Sequence, residues 1–188
     1  MAKKLYDLLS INDASSRQMR LLSREKSNDS YTINVDEGHA RLRGEMSILI
    51  EQGVQFRNCI FTTHGNEGVI FFGNQWINQE VWYSQFYSRG YDRLFPFPNT
   101  KLYFAGCNVA DGPRGWKFLE AAARSLLRRA GGAAIGWTSL GFGSPFSGHM
   151  RHLWGDTRQV MVLPGGESLR FYENWNLITD GTFPVRPG

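Results

Sequence analysis

Two apolar runs in this sequence each end at a residue that can do chemistry. The run "CIFTT" is followed directly by His64-Gly65, and the run "KLYFAG" is followed directly by Cys107. An imidazole beside a thiol can draw off the thiol proton or stabilise the thiolate, which makes the cysteine a nucleophile. If the two runs are neighbouring strands of one sheet, we expect His64 and Cys107 to form a base–nucleophile pair at its edge.

The glycine after the histidine has a role in the same chemistry. Because Gly65 has no Cβ, a substrate carbonyl can approach its backbone N–H closely. Together with the N–H of Cys107, this donor could form an oxyanion hole for a tetrahedral intermediate.

The surrounding elements indicate what would position these residues. Apolar or β-branched strands alternate along the chain with segments of helical periodicity. The strands are expected over about 30–36, 54–63, 101–106 and 133–139, and the helices over about 38–53 and 111–130. This alternation predicts an α/β fold, a mostly parallel sheet flanked by helices on both faces.

The 188 residues are predicted to form a single domain. Its core would span about 31–140, preceded by an N-terminal helical extension over 1–30. The last part, 141–188, is predicted to contain a flexible loop, "GFGSPFSG", and a C-terminal β-hairpin that turns at Pro164-Gly165-Gly166.

Composition excludes some classes of function. The net charge of +4 comes from scattered basic residues, so we expect no nucleic-acid partner. No apolar run has the length of a membrane span, and no secretory signal is visible. Two cysteines do not make a disulfide framework, which favours a reducing, cytoplasmic location. Export by a specialised secretion system stays open.

Together the motifs "IFTTHGNEG" and "LYFAGCNVADG" resemble the two signature blocks of the caspase-like cysteine peptidases, the group that includes caspases, metacaspases, gingipains and separases. The likeness is greatest to bacterial CHAT-type domains with "HG-x-x-G" and "GCN-x-A-x-G", and it spans about residues 31–137. The resemblance implies a caspase-like three-layer sandwich, a protein or peptide substrate, His64 as general base and Cys107 as nucleophile. It also places Gly65 in the oxyanion hole. No metal or other cofactor is needed for this chemistry; some relatives are activated by calcium, which nothing in this sequence indicates.

The sequence departs from that family two residues before the cysteine. Caspases have glutamine and metacaspases aspartate there, each shaping the pocket for the first substrate residue, whereas this chain has Ala105. No preference for an aspartate or an arginine can therefore be carried over. The candidate pocket residues are Ala105, Asp111, Trp137, Thr138 and Ser139, with Asp156 as a further acidic candidate.

Two other functions fit the same residues. The loss of the selector at Ala105 is also what a catalytically inactive interaction module of the same fold would show, and a thiol-dependent acyl transferase would use the same pair of His64 and Cys107.

Other reactive or aromatic residues are not assigned to the site. Cys59 is expected in the core. His149, His152 and Asp156 lack an established metal motif and are not expected to bind a metal. The aromatic run from Trp76 to Tyr91 either packs in the core or lines a peptide groove.

Overall fold

A computed structural model describes residues 4–15, 29–143, 150–152 and 155–178 of the chain. Eight strands form its main sheet, in the order β13-β12-β11-β8-β7-β3-β1-β2. These strands are β1 (Lys4–Asp13), β2 (Ser30–Val35), β3 (Val54–Thr62), β7 (Thr100–Phe104), β8 (Gly132–Trp137), β11 (Thr157–Val162), β12 (Leu169–Glu173) and β13 (Asn176–Leu177).

The sheet is mixed and mostly parallel. Strands β2, β1, β3, β7 and β8 pair in parallel, whereas β11, β12 and β13 continue the sheet in antiparallel pairs. The predicted α/β class is confirmed, and so is the C-terminal hairpin, which β11 and β12 form around Pro164 and Gly165.

Two smaller sheets complete the strands. The first contains β4 (His64–Asn66), β5 (Val69–Phe72) and β6 (Gln75–Ile77) as an antiparallel meander. The second pairs β9 (Gly141–Gly143) with β10 (Met150–His152). The predicted flexible loop "GFGSPFSG" therefore begins with a strand, and its residues 144–148 lie outside the described part of the chain, as does His149.

Local sequence explains the helices. They are α1 (His39–Glu51), α2 (Gln79–Val81), which continues into a π-helical turn (Trp82–Phe86), a 3₁₀ helix (Tyr91–Leu94) and α3 (Gly112–Leu127). The carboxylate of Asp111 accepts a hydrogen bond from the Gly112 N–H at 2.8 Å, and Pro113 occupies the first turn of α3. Both features are favoured at a helix N-terminus.

Residues 4–13 of the predicted N-terminal helical extension form a strand instead, while residues 1–3 and 16–28 of that extension lie outside the described part of the chain. Lys4–Asp13 lies inside the main sheet, between β2 and β3. Its spacing of leucines resembles helical periodicity, but Leu8 to Asn12 pair residue by residue with both β2 and β3, as in a strand. The helical prediction was wrong because a ten-residue strand is stabilised here by pairing on both sides, which the local pattern does not encode.

The main hydrophobic cluster of the described residues lies on one face of the sheet, and Ile135, which pairs with Tyr103 on the other face, is also fully buried. Strand residues such as Leu9, Phe61 and Phe104 are fully buried on the face of the cluster, and Phe104 packs edge-on against Phe118 of α3. Their neighbours in sequence Ile60 and Tyr103 are only half-buried. The described helices pack on the buried face, and a second helical layer on the other face stays a prediction.

None of the helices in the described ranges has both the length and the apolar character needed to cross a membrane.

The glycines of the two long helices give opposite predictions for the same substitution. A Cβ on Gly115 of α3 would lie 2.1 Å from the carbonyl carbon of Ala110, whereas a Cβ on Gly44 of α1 would meet nothing within 4 Å. We expect Gly115→Ala to lower the free energy of unfolding by about 1–3 kcal/mol through overpacking. Gly44→Ala should raise it by about 0.5–1 kcal/mol through helix propensity. Urea denaturation measures both, and a Gly115→Ala protein as stable as Gly44→Ala would contradict this packing.

Candidate active site

Neighbouring strands bring the two motifs to the same edge of the sheet. β3 and β7 pair in parallel, with Phe61 opposite Phe104. The pairing continues one residue further, since the Ala105 N–H donates to the Phe61 carbonyl at 2.9 Å. The expectation that these strands are neighbours is confirmed, and the chain leaves both of them at the same level, just before His64 and Cys107.

Beyond the strands, the two segments touch through their backbones. A Cβ built on Gly65 would lie 2.9 Å from the carbonyl oxygen of Cys107 and 3.1 Å from the Cα of Gly106. A Cβ on Gly106 would in turn lie 3.1 Å from the Cα and 3.3 Å from the N of Gly65. Any side chain at either position would push the segments apart. The two glycines therefore allow the His-Gly and Gly-Cys segments to meet.

His64 and Cys107 flank this contact with different exposure. His64 begins β4 and is exposed to solvent, whereas Cys107 begins a turn and is half-buried. Cys107 is thus partly shielded from solvent, whereas His64 is accessible at the surface.

The Gly65 N–H is directed out of the small sheet. A two-residue turn joins β4 to β5, so Asn66 and Val69, which flank it, form a hydrogen-bonded pair. Along an antiparallel ladder the next pair, Gly65 and Ile70, is then a non-hydrogen-bonded one. The N–H of Gly65 consequently points away from β5.

The turn that carries the cysteine is fixed to the segment after β8. Asn108 has a positive φ of 52°, and its N–H donates to the carbonyl of Ser139 at 2.9 Å. The Ala110 N–H donates to the carbonyl of Trp137 at 3.1 Å. Trp137 and Ser139, two of the candidate pocket residues, are therefore hydrogen-bonded through their backbones to the turn that carries Cys107.

The candidate pocket residues differ in how they could meet a ligand. Ala105 is only 2 % exposed and Ser139 is buried, while Trp137 and Thr138 are half-buried. Asp111 is exposed and caps α3.

Asp156, the further acidic candidate, lies against Thr138. Its N–H donates to the Thr138 hydroxyl at 2.7 Å, and its carboxylate accepts a hydrogen bond from the Asn174 side chain at 2.6 Å.

Arg158, which sequence reasoning missed, donates hydrogen bonds to backbone carbonyls at the end of the cysteine turn and the start of α3. The guanidinium of Arg158 on β11 donates to the carbonyls of Ala110 at 2.8 Å and Gly112 at 3.1 Å. It also pairs with Glu173 at 2.8 Å and lies over the Trp116 ring, 4.9 Å from the ring centroid. Hydrogen bonds from charged donors stabilise by about 1.5–3 kcal/mol, so Arg158 rigidifies the junction between the turn and α3.

A buried aspartate was missed as well. Asp13 ends β1, is 1 % exposed, and accepts hydrogen bonds from the N–H of Ser15 at 3.0 Å and of Gly73 at 3.2 Å. Because Gly73 lies in the turn between β5 and β6, Asp13 ties the meander that carries His64 to the main sheet. Its position at a strand end would have revealed it, had β1 been predicted as a strand.

The aromatic run divides between core and surface. Trp82 and Phe86 are fully buried and Tyr91 is 7 % exposed, as expected for packing, whereas Trp76 is 56 % exposed.

Within the described ranges, no three His, Cys, Asp or Glu side chains lie close enough together to hold a metal ion.

Comparison of the sequence with protein-family models and with curated proteins finds no match. Function must therefore be inferred from the geometry of the site and from the resemblance of its two motifs.

The two cysteines should react very differently with thiol reagents. Cys59 is fully buried, and burial raises the pKa of its thiol well above the usual value, so at neutral pH it stays protonated and inaccessible. We expect iodoacetamide to add one carboxamidomethyl group to the folded protein, at Cys107, as measured by mass spectrometry of the intact and digested protein. Cys107→Ser should take up none until it is unfolded. Labelling of Cys59 in the folded protein would contradict this assignment.

Proposed function

We propose that this chain is a caspase-like cysteine endopeptidase, with Cys107 as nucleophile and His64 as general base. The observation that carries the proposal is the backbone contact of Gly65 with Gly106 and Cys107, which brings the two motifs together. The proposal includes the caspase-like three-layer arrangement, whose sheet order and site position at the carboxyl ends of parallel strands are consistent with the described residues.

The first half of the reaction forms a thioester. His64 accepts the thiol proton, and the Cys107 sulfur attacks the carbonyl carbon of the scissile peptide bond to give a tetrahedral intermediate. The C–N bond then breaks, and the imidazolium returns its proton to the nitrogen, so that a neutral amine leaves. The acyl part of the substrate stays on the sulfur.

The second half releases the acid. Water attacks the thioester carbonyl while His64 accepts a proton from it. As the C–S bond breaks, the imidazolium returns that proton to the sulfur, which regenerates the thiol and the neutral imidazole and frees the carboxylic acid. The sum of both halves is one peptide bond and one water converted to an acid and an amine. No oxidant or co-reactant enters.

The negative charge on the intermediate needs donors that are already oriented. The Gly65 N–H, which points out of its ladder, is one candidate and the Cys107 N–H is the other. The N–H groups of Asn108 and Ala110 donate to the carbonyls of Ser139 and Trp137, which holds the cysteine turn against the end of β8. In this account the acyl side of the substrate lies along Trp137, Thr138 and Ser139.

Cleavage of a mixed-sequence peptide library tests the proposal. We expect the wild-type protein to cleave a subset of peptides and Cys107→Ala to cleave none, because the nucleophile is gone. His64→Ala should lose about 10²–10⁴-fold in rate, the usual contribution of a positioned general base. Cleavage products are identified by mass spectrometry, with an added amine to reveal acyl transfer in place of hydrolysis.

Cys59→Ala is the matched thiol control and should keep full activity per folded molecule. An intact library after incubation with folded wild-type protein would favour the inactive interaction module. Activity that survives in Cys107→Ala would overturn the assignment of the nucleophile. Transfer of the acyl group to the amine without hydrolysis would favour the acyl transferase.

A further inference from the structure

The meander β4–β5–β6 has one buried face and one outward face. Ile70, Phe72 and Ile77 are at most 1 % exposed and pack into the core. Side chains of directly paired residues lie on the same face of a sheet. His64 pairs with Phe71, and Phe71 pairs with Trp76, so these three side chains form one row across the outward face.

A pocket of about 530 Å³ opens on this outward face. Its walls are the meander, the start of α2 and the first turns of α3. The residues used below are Glu67, Phe71, Trp76, Glu80, Arg114 and Lys117. Pockets of about 300–1,000 Å³ are the size that takes a small molecule or part of a peptide. His64 does not line the pocket, but it pairs with Phe71, which does, so the imidazole lies next to the pocket on the same face of the meander.

The charges around the pocket balance. Glu67 and Glu80 face Arg114 and Lys117, two carboxylates against two cations. The Glu67 carboxylate lies near the N-terminus of α3, since a Cβ on Gly112 would clash with its Oε1. Neither sign of charge is therefore favoured in a ligand.

The feature of the pocket that indicates a ligand is its solvent-exposed apolar surface. Trp76 is 56 % exposed although its neighbours on the buried face are at most 1 % exposed, and Phe71 beside it is half-buried. Covering a tryptophan face with another apolar side chain removes a large area from water, at about 25 cal/mol per Å². The occupant that gains most is a large aromatic or aliphatic side chain.

The proton transfer decides which side of the substrate meets the pocket. His64 gives its proton to the leaving amine, so the amine side of the scissile bond passes next to the imidazole. The acyl side stays on the sulfur, towards the segment after β8. The pocket in line with His64 therefore lies on the amine side.

We propose that this pocket binds a substrate residue on the amine side of the scissile bond and selects a large aromatic or aliphatic side chain there. This inference rests on the proposed peptidase function. Trp76 and Phe71 form the apolar surface, and Trp76 is the specificity-determining residue because it presents most of that surface to solvent.

Sequencing of the new N-termini that cleavage of a peptide library produces tests the preference. With wild-type protein we expect Phe, Trp and Leu to be enriched within the first two residues of the released amine fragment. Trp76→Ala should reduce that enrichment about tenfold or more, as truncation of a central aromatic anchor typically does. Trp76→Phe should retain most of it. Trp175→Ala is the matched control, because Trp175 is 62 % exposed but lies in the turn between β12 and β13.

A binding measurement separates failure of this proposal from failure of the peptidase function. A fluorescent peptide that begins with phenylalanine is titrated into Cys107→Ala and into Cys107→Ala/Trp76→Ala, with a peptide that begins with glycine as the comparison. Binding of the phenylalanine peptide that is lost on removal of Trp76 supports the pocket even if no peptide is cleaved. Cleavage by wild type with an unchanged profile in Trp76→Ala overturns the pocket and leaves the peptidase intact. Absence of both binding and cleavage overturns both.

Discussion

The site depends on a contact between two backbones that only glycine permits. Gly65 and Gly106 meet so closely that a Cβ on either would lie 3.1 Å from the Cα of the other. Because this contact joins the segment after β3 to the segment after β7, it sets how near His64 and Cys107 can come. Side chains at these positions would push the two segments, and with them His64 and Cys107, apart.

Other contacts hold each side of that junction. On the histidine side, Asp13 accepts a hydrogen bond from Gly73 and so fixes the meander to the end of β1. On the cysteine side, Arg158 bonds to two carbonyls at the start of α3, and Gly115 packs its bare Cα against Ala110. A rigid support of this kind is what a base and nucleophile need, since small displacements between reacting groups cost large factors in rate.

Local patterns in the sequence predicted much of the frame. The runs before His64 and Cys107 are apolar enough to be read as buried strands, so the meeting of the two motifs could be anticipated. Asp111 and Pro113 mark the start of α3. The N-terminal strand could not, because its leucine spacing fits a helix and its pairing partners are far away in sequence. Arg158 and Asp13 were missed for the same reason: each acts on backbone groups 46 to 60 residues distant, which no local pattern encodes. The apolar pocket depends on which face of the meander Trp76 occupies, and this required the strand register.

The most direct test of the central claim, that His64 acts on Cys107, is the rate at which a peptidyl acyloxymethyl ketone alkylates Cys107. The rate is measured by mass spectrometry in wild type and in His64→Ala, whose fold should be unaffected because the side chain is exposed. If the imidazole activates the thiol across the Gly65–Gly106 contact, His64→Ala will react about 10²–10⁴-fold more slowly at neutral pH. Equal rates in the two proteins, both correctly folded, would show that the residues do not work as a pair.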